Sequence, residues 1–287
     1  MIELTNTWCI QIAVTNACPK ACSNCTRLLS HATEKWFMSV EDFESAVIAL
    51  KDFPEKSGPD SLARENLGKV VGLFGGEPQL HPEFSVLCEI MRKHLPYHGR
   101  GLWTGVPLGK RRQMIRETFR YLNHNTHEPP SYHQSALVAI ADVVDDKREM
   151  WRLIDQCWIQ QMWSPAITPR GLYFCEVASS LCEVMNGPAG LEVDPGCWRR
   201  PLDDFRYQVE WCCPKCAFGL YDRDKGEMAA PGLQHRLDAD EVDDVSESNL
   251  ERLRSCGSPR VHSGACELYQ IDPSREKEAH QPWKYMR

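Results

Sequence analysis

Predicted strands and helices alternate through residues 1–165, and this alternation restricts the possible folds more than any other feature of the sequence. Residues 8–15 combine β-branched and aromatic types, which predicts a buried strand. Further strands are predicted over residues 70–74, 101–105, 137–144 and 167–174. Helices are predicted between Ser39 and Pro54 and over residues 81–95, 110–120, 146–158 and 248–254. Repeated units of strand, loop and helix are typical of parallel β/α architecture, so the sequence predicts an α/β fold.

The composition is that of an ordinary globular protein with an unusual number of cysteines. Of 287 residues, 42% are hydrophobic and 25% are charged, and the formal net charge is −7. This acidic balance argues against a nucleic-acid partner, and we interpret the short basic run Lys110–Arg112 as a solvated helix start. We see no secretory signal and no run of 18 apolar residues, so we expect a cytoplasmic protein without a membrane partner. In a reducing compartment the 14 cysteines are better explained, in part, as metal ligands than as disulfides.

Three cysteines follow the first predicted strand with the spacing C-x3-C-x2-C. They are Cys18, Cys22 and Cys25. Three thiolates on one loop can bind three irons of a cubane cluster and leave the fourth iron without a protein ligand. An open coordination position favours chemistry over a purely structural role. Zinc ribbons instead prefer two C-x2-C pairs, and a ferredoxin cluster requires a fourth cysteine.

On these residues the chain resembles the radical SAM superfamily, whose members bind a [4Fe–4S] cluster and S-adenosyl-L-methionine (SAM). The second motif that carries the resemblance is Gly75-Gly76-Glu77-Pro78, directly after the second long predicted strand. The resemblance implies a partial (β/α)6 TIM-like barrel with a small, irregular, cysteine-rich C-terminal lobe. It also implies that the amino and carboxylate groups of SAM bind the fourth iron.

The resemblance further implies roles for individual residues around SAM. The glycines let the backbone approach a ligand closely, and Glu77 can accept a charge-assisted hydrogen bond from the SAM ammonium group. Thr104 is similar to a family position that lines the SAM pocket. Asn24 stands where the family often has an aromatic residue near the adenine, so the sequence departs from the family at that contact.

A second cysteine group resembles the auxiliary-cluster extension of many radical SAM enzymes, in a shortened form like the SPASM or twitch extensions. The predicted hairpin over residues 167–174 delivers Cys175, and the C-x2-C pair Cys213 and Cys216 follows. Cys197 is our first candidate for a fourth ligand. One auxiliary [4Fe–4S] cluster is more plausible than two, because the segment is short.

Other assignments of the cysteines stay open at this point. Cys182 or Cys256 can replace Cys197 as fourth ligand, and Cys212 can replace Cys213. The group can also hold a structural zinc ion or consist of buried free thiols. The cysteines that we interpret as core or surface thiols are Cys9, Cys88, Cys157 and Cys266.

These patterns divide the chain into three predicted parts. Residues 1–165 form a radical SAM core, residues 166–232 an auxiliary iron–sulfur lobe, and residues 233–287 a C-terminal tail. A polar group in the middle of the core can face the mouth of the barrel and bind substrate, or it can form a polar surface loop. That group consists of Asn123, His124, Asn125, His127 and His133, and of the two interpretations we favour the surface loop.

The sequence therefore predicts a radical SAM enzyme that cleaves SAM reductively and abstracts hydrogen from a peptide, sugar, nucleoside or other small substrate. Such an enzyme needs an electron donor such as flavodoxin or ferredoxin. The alternative is a non-catalytic protein that binds zinc or an iron–sulfur cluster, acting as a scaffold or in electron transfer.

Overall fold

A computed structural model of the chain describes residues 1–54, 68–125, 132–162, 165–222, 224, 227–228, 235–237 and 243–259. The strands are β1 (Cys9–Ala13), β2 (Val70–Phe74), β3 (Arg100–Thr104), β4 (Tyr121–His124), β5 (Tyr132–Gln134), β6 (Ala166–Thr168), β7 (Gly171–Tyr173), β8 (Tyr221–Asp222), β9 (Glu227–Met228) and β10 (His235–Leu237). The helices are α1 (Val40–Ala49), α2 (Phe84–His94), α3 (Arg112–Thr118), α4 (Lys147–Asp155), α5 (Trp158–Met162), α6 (Glu176–Val184), α7 (Arg206–Cys212) and α8 (Glu247–Ser255).

The centre of the fold is a six-stranded sheet with the order β4-β3-β2-β1-β6-β7. Neighbouring strands from β4 to β6 run parallel, and only β7 is antiparallel to its neighbour. Every residue of β1 and β2 is buried, as expected for parallel strands that are covered on both faces. The predicted α/β class is confirmed.

The sheet brings the two predicted motifs to one edge. In parallel strands the carboxyl ends lie on the same side, and ligands of α/β proteins bind at that side. The cysteine loop follows the carboxyl end of β1, and Gly75 and Thr104 lie at the carboxyl ends of β2 and β3.

Local signals in the sequence located the first helices well. The Ser39 hydroxyl accepts a hydrogen bond of 3.0 Å from the Asp42 amide, which makes Ser39 the N-cap of α1. Phe43 and Val47 are fully buried on the face of α1 that packs beside α2. The predicted helix at the second β/α unit is confirmed as α2.

Three predictions of secondary structure were wrong or incomplete. Residues 137–144 form no strand but one isolated bridge from Leu137 to Val245 and a short 3-10 turn, Ile140–Asp142. Their apolar run is buried in a loop, and a run without periodicity does not distinguish a strand from other buried backbone. Neither β4 nor α6 was predicted, although Val177, Leu181 and Val184 of α6 stand at helical spacing.

The closure of the sheet into a partial barrel and the division into three parts remain predictions. β5 pairs antiparallel with β10 in a separate two-stranded sheet. β6 pairs with β1, so the hairpin of the predicted auxiliary lobe belongs to the central sheet. Predicted residues His127 and Cys266 lie outside the described residues. Within the described ranges, no helix is long and apolar enough to cross a membrane.

Candidate active site

The three-cysteine loop leaves the sheet after β1 and returns to it. The Met38 amide donates to the Val14 carbonyl at 2.8 Å, which closes the loop at its base. Inside the loop, the Asn16 side chain accepts from the Trp36 amide at 2.9 Å and donates to the Glu34 carbonyl at 2.8 Å. The cysteine-bearing segment is therefore held by the two ends of its own loop.

Cys18, Cys22 and Cys25 line one cavity together with Gly75, Gly76 and Glu77. Its volume is about 210 Å³. The structure thus brings the two motifs, about 50 residues apart in the sequence, into a single site. We call this opening, which is lined by the three thiols and by the buried carboxylate of Glu77, the first cavity.

The two glycines of the motif allow it to pack against the cysteine loop. Gly75 has a φ of +136°, and a Cβ at Gly75 or Gly76 would lie 2.3 Å from the carbonyl oxygen of Thr15 or Ala17, respectively. The Gly76 amide donates to Thr15 at 2.7 Å, and the Glu77 amide donates to Ala17 at 2.8 Å. The sequence predicts a close approach to a ligand; the structure shows a close approach to the backbone that carries the cysteines.

The Glu77 carboxylate is held in one orientation at the cavity wall. Glu77 is 1% exposed, and it accepts hydrogen bonds from the Thr104 hydroxyl at 2.7 Å, the Gly105 amide at 2.8 Å and the Gln79 amide at 3.0 Å. Pro78 opens the short 3-10 turn for which Glu77 is the N-cap. Thr104, which the family resemblance places in the SAM pocket, is therefore connected to the first cavity by its hydrogen bond to Glu77. A fixed negative charge beside an open cavity is suited to binding an ammonium group.

Asn24 connects the cysteine loop to a distant segment. Its side-chain amide donates to the Asp244 carboxylate at 3.0 Å and accepts from the Asp244 amide at 2.9 Å. His31 shares a 2.9 Å hydrogen bond with Asp243 and another with Ser258. These contacts are long-range and leave no local trace in the sequence. Asn24 is not among the residues that line the first cavity, and its contact with adenine stays a prediction.

The cysteine sulfurs of this loop combine burial with backbone donors. Burial raises the pKa of the Cys18 thiol to about 11, although a hydrogen bond from the Lys20 amide lowers it. Burial also raises the pKa of Cys25, against hydrogen bonds from the Arg27 and Leu29 amides. Thiols in this state release their protons when a metal replaces them, and the backbone donors then stabilise the thiolates. The donor set fits an iron–sulfur cluster that three thiolates bind.

A second, smaller cavity gathers the other cysteine group. Its volume is about 30 Å³, and its walls include Cys175, Cys213 and Cys216, as the sequence predicts. Cys157 lies in the same walls, whereas Cys197 does not. The cavity is far smaller than the pockets that hold organic ligands.

Cys157, which the sequence analysis interpreted as a core or surface thiol, lines the second cavity together with Cys175, Cys213 and Cys216. We expected Cys157 inside a helix over residues 146–158, but α4 ends at Asp155 and Cys157 lies in the turn before α5. The sequence signal that was available is the position of Cys157 shortly before the hairpin of β6 and β7, which leads to Cys175.

The sulfurs around the second cavity resemble those of the first in their environment. Backbone amides of Ile159 and Gln160 donate to Cys157, and the amide of Phe218 donates to Cys216. Burial raises the pKa of Cys216 to about 12 and also raises that of Cys157. These backbone donors stabilise the thiolate form of the cysteines once a metal compensates the negative charge of the thiolates.

Of the other candidate cysteines, Cys212 also lines the second cavity, whereas Cys182 and Cys197 do not. The sulfur of Cys212 is 3.4 Å from that of Cys182, so these two form a pair with each other. Burial and the nearby charge of Asp194 raise the pKa of the Cys197 thiol, and Arg200 lowers it; none of the four thiols of the second cavity contributes. Among the described residues, no group of three or more His, Cys, Asp or Glu side chains is arranged to hold a single metal ion.

The polar residues of the middle segment are divided by the structure. His133 lines the first cavity and shares a 2.9 Å hydrogen bond with the Ser23 carbonyl. His124 shares one of the same length with the Val106 carbonyl, and the Asn125 amide donates to Thr104. Of this group, His133 is the described member that reaches the site.

Comparison with known proteins gives likenesses to solved structures. No protein-family model matches the chain, and no curated protein matches it. A crystal structure of BtrN in complex with AdoMet and 2-DOIA is 13% identical, with a TM-score of 0.44, and the match covers 73% of this chain and 88% of that one. Selenomethionine BtrN in an open conformation is 12% identical, with a TM-score of 0.42, and the match covers 80% and 95%. Values this low do not assign an activity to this chain.

Proposed function

We propose that the chain is a radical SAM enzyme. One observation carries the proposal: Cys18, Cys22 and Cys25 line a single cavity with the glycines of residues 75–76 and with the buried carboxylate of Glu77. A structural zinc site would require neither an open space of this size nor a fixed acid beside it. An electron-transfer protein would bind its cluster with a fourth cysteine.

In this proposal, separate residues of the chain would hold the cluster and bind SAM. Cys18, Cys22 and Cys25 hold three irons and leave the fourth accessible from the cavity. Glu77 binds the ammonium group of SAM, and Thr104 and the Gly105 amide keep that carboxylate in place. When bound, the [4Fe–4S] cluster supplies the electron that splits SAM into methionine and a 5′-deoxyadenosyl radical, which removes a hydrogen atom from the substrate.

We propose that Cys157, Cys175, Cys213 and Cys216 hold the auxiliary [4Fe–4S] cluster. The sharing of one small cavity and the backbone donors to the sulfurs support this set over one with Cys197. The substrate class stays broad: a peptide, sugar, nucleoside or another small molecule.

An electron donor is part of the proposal, and the charge distribution supports an acidic one such as flavodoxin or ferredoxin. Residues 84–125 contain eight lysine or arginine residues and two glutamates, in a chain with a net charge of −7. Lys110 and Arg112 are exposed at the start of α3, just after Gly105 and Val106 of the first cavity. A positive surface there attracts an acidic partner and raises its rate of association.

The experiment that tests the metal content compares anaerobically reconstituted wild-type protein with a Cys18/Cys22/Cys25 triple alanine variant. We expect two clusters in the wild type and the loss of about half the iron in the variant, because the second site is independent. If the wild-type protein contains zinc and shows no iron–sulfur absorption, the proposal of a radical SAM enzyme is refuted. Iron near zero in the variant would refute the auxiliary cluster.

A matched pair of single variants tests the auxiliary ligands. We expect Cys157→Ser to lose the auxiliary cluster, measured by iron content and by the electron paramagnetic resonance signal after reduction. Cys197→Ser serves as the control, because Cys197 is buried but outside the second cavity. Retention of both clusters in Cys157→Ser would contradict the assignment.

A further inference from the structure

Asp243, in the part of the chain predicted as a C-terminal tail, packs against the three-cysteine loop. Its carboxylate accepts a hydrogen bond from the amide of Asn24, the residue directly before Cys25. The same carboxylate shares a 2.9 Å hydrogen bond with His31, six positions after Cys25. Asp243 therefore binds the loop on both sides of its third cysteine. None of the roles assigned above uses this acid.

The contact between Asp243 and His31 is buried, and it is compatible with a charged acid. Asp243 is 7% exposed and His31 is 1% exposed. Because carboxylate oxygens only accept, the Nε2 atom of His31 carries the hydrogen of this bond. The Nδ1 atom of His31 lies 2.9 Å from the Ser258 hydroxyl, which can donate to it. A neutral imidazole thus satisfies both partners, and it orients Asp243 without cancelling the negative charge.

The negative charge of Asp243 acts on the Cys25 sulfur. Burial is the main cause that raises the pKa of this thiol, backbone amides lower it, and the charge of Asp243 raises it further. The Arg27 guanidinium acts in the opposite direction. The carboxylate of Asp244, the next residue, binds the Asn24 side chain instead of the backbone beside Cys25. At Asp243, a negative charge fixed by two hydrogen bonds therefore lies within electrostatic reach of a proposed iron ligand.

We propose that Asp243 keeps the reduction potential of the cluster at Cys18, Cys22 and Cys25 low, an inference that rests on the proposed function. A nearby negative charge opposes the arrival of an electron, and net charge is one of the determinants of the potential of an iron–sulfur cluster. The low dielectric constant of a buried site strengthens this effect. The proposed reaction needs one electron to pass to SAM, and a lower potential makes the reduced cluster a stronger donor. The segment that carries Asp243 is then part of the active site rather than a tail.

The test is a redox titration of the reconstituted protein with dithionite, followed by electron paramagnetic resonance in the absence of SAM. The triple alanine variant of the three cysteines supplies the signal of the auxiliary cluster, which is subtracted. Asp243→Asn removes the charge and keeps the shape of the side chain. His31 can bind the new amide, because its proton can move to the other ring nitrogen.

The expected shift follows from the size of one buried charge. In a medium with an effective dielectric constant of about 20, a unit charge about 12 Å away changes an equilibrium about tenfold. We therefore expect Asp243→Asn to raise the ratio of reduced to oxidised cluster at a fixed potential about tenfold, which is about 59 mV in the midpoint of a one-electron couple.

Matched variants separate the charge of Asp243 from its contacts. His31→Gln changes the partner of Asp243 and leaves the acid in place, so the midpoint potential is expected to stay unchanged. Asp244→Asn removes the charge of the next residue and is expected to give a smaller rise. An unchanged potential in Asp243→Asn, or an equal rise in either control, would overturn the inference.

A second substitution covers the loss of the cluster from Asp243→Asn. Asp243→Ser removes the same charge with a smaller side chain and is expected to raise the potential in the same way. Loss of the cluster from both variants would overturn the inference, because Asp243 would then hold the loop rather than set the potential. A wild-type protein that binds no cluster at the three cysteines would overturn the proposed function and this inference with it, whereas an unchanged potential in Asp243→Asn overturns this inference alone.

Discussion

Replacing Thr104 with valine tests whether the Glu77 carboxylate depends on the third strand. Thr104 is 5% exposed, and its hydroxyl donates to Glu77 at 2.7 Å while it accepts from the Gln79 side chain at 2.8 Å. Valine has nearly the same shape, so the change removes the hydroxyl and leaves the packing in place. Glu77 would keep the two backbone donors at Gly105 and Gln79.

The expected cost follows from the kind of hydrogen bond that is lost. A hydrogen bond to a charged group contributes about 1.5–3 kcal/mol. We therefore expect Thr104→Val to lower the free energy of unfolding by about 2 kcal/mol, which corresponds to a decrease of about 4–8 °C in Tm. Because the carboxylate gains freedom, the Kd for SAM should also rise, by about tenfold, a loss of about 1.4 kcal/mol.

Thr7→Val is the matched control for this change. Thr7 is fully buried, and its hydroxyl donates to the Leu4 carbonyl at 2.7 Å, so a neutral hydrogen bond is lost far from the cavity. We expect a cost of about 1 kcal/mol and an unchanged Kd. Denaturant unfolding and equilibrium dialysis with SAM measure both variants. Equal losses of stability in the two variants, together with equal affinities for SAM, would refute this account of Glu77.

Three further predictions concern the cysteine loop, the donor surface and the auxiliary site. Gly76→Ala places a methyl group 2.3 Å from a backbone oxygen of the cysteine loop and should reduce iron binding at the first cavity, whereas Gly68→Ala, whose nearest contact is 3.7 Å, should have no effect on iron content. Lys110→Glu with Arg112→Glu should slow 5′-deoxyadenosine formation with reduced flavodoxin at low salt and leave the rate with dithionite unchanged; an equal decrease with both reductants would exclude a docking role. The auxiliary signal should resist chelation of labile iron in Cys197→Ser as well as it does in wild type, and a faster loss from Cys197→Ser would argue for ligation by Cys197 instead.

Strong local signals explain what the sequence predicts correctly. The continuous apolar run of β2 and the Ser39 cap of α1 are contained in a few adjacent residues, and the structure has both. The two motifs of the candidate site come together because each directly follows a parallel strand. Once β1 and β2 are neighbours, Cys18 and Glu77 must lie at the same edge of the sheet.

Features that depend on tertiary contacts escape a reading of the sequence. The apolar run that begins at Leu137 is buried in a loop, so it has no period that distinguishes it from a buried strand. Asn24 finds its partner 220 positions away at Asp244. Cys157 was predicted inside a helix, and it lies just beyond the end of α4, because helix ends are uncertain from sequence by a few positions.

The most direct test of the account is anaerobic incubation of the reconstituted protein with SAM and a low-potential reductant, followed by quantification of 5′-deoxyadenosine. We predict that the wild-type protein forms this product without added substrate at a slow rate, and that the Cys18/Cys22/Cys25 triple alanine variant forms none although its auxiliary cluster is intact. A wild-type protein that contains both clusters and binds SAM but releases no 5′-deoxyadenosine would contradict the claim that these three cysteines and Glu77 form a radical SAM site.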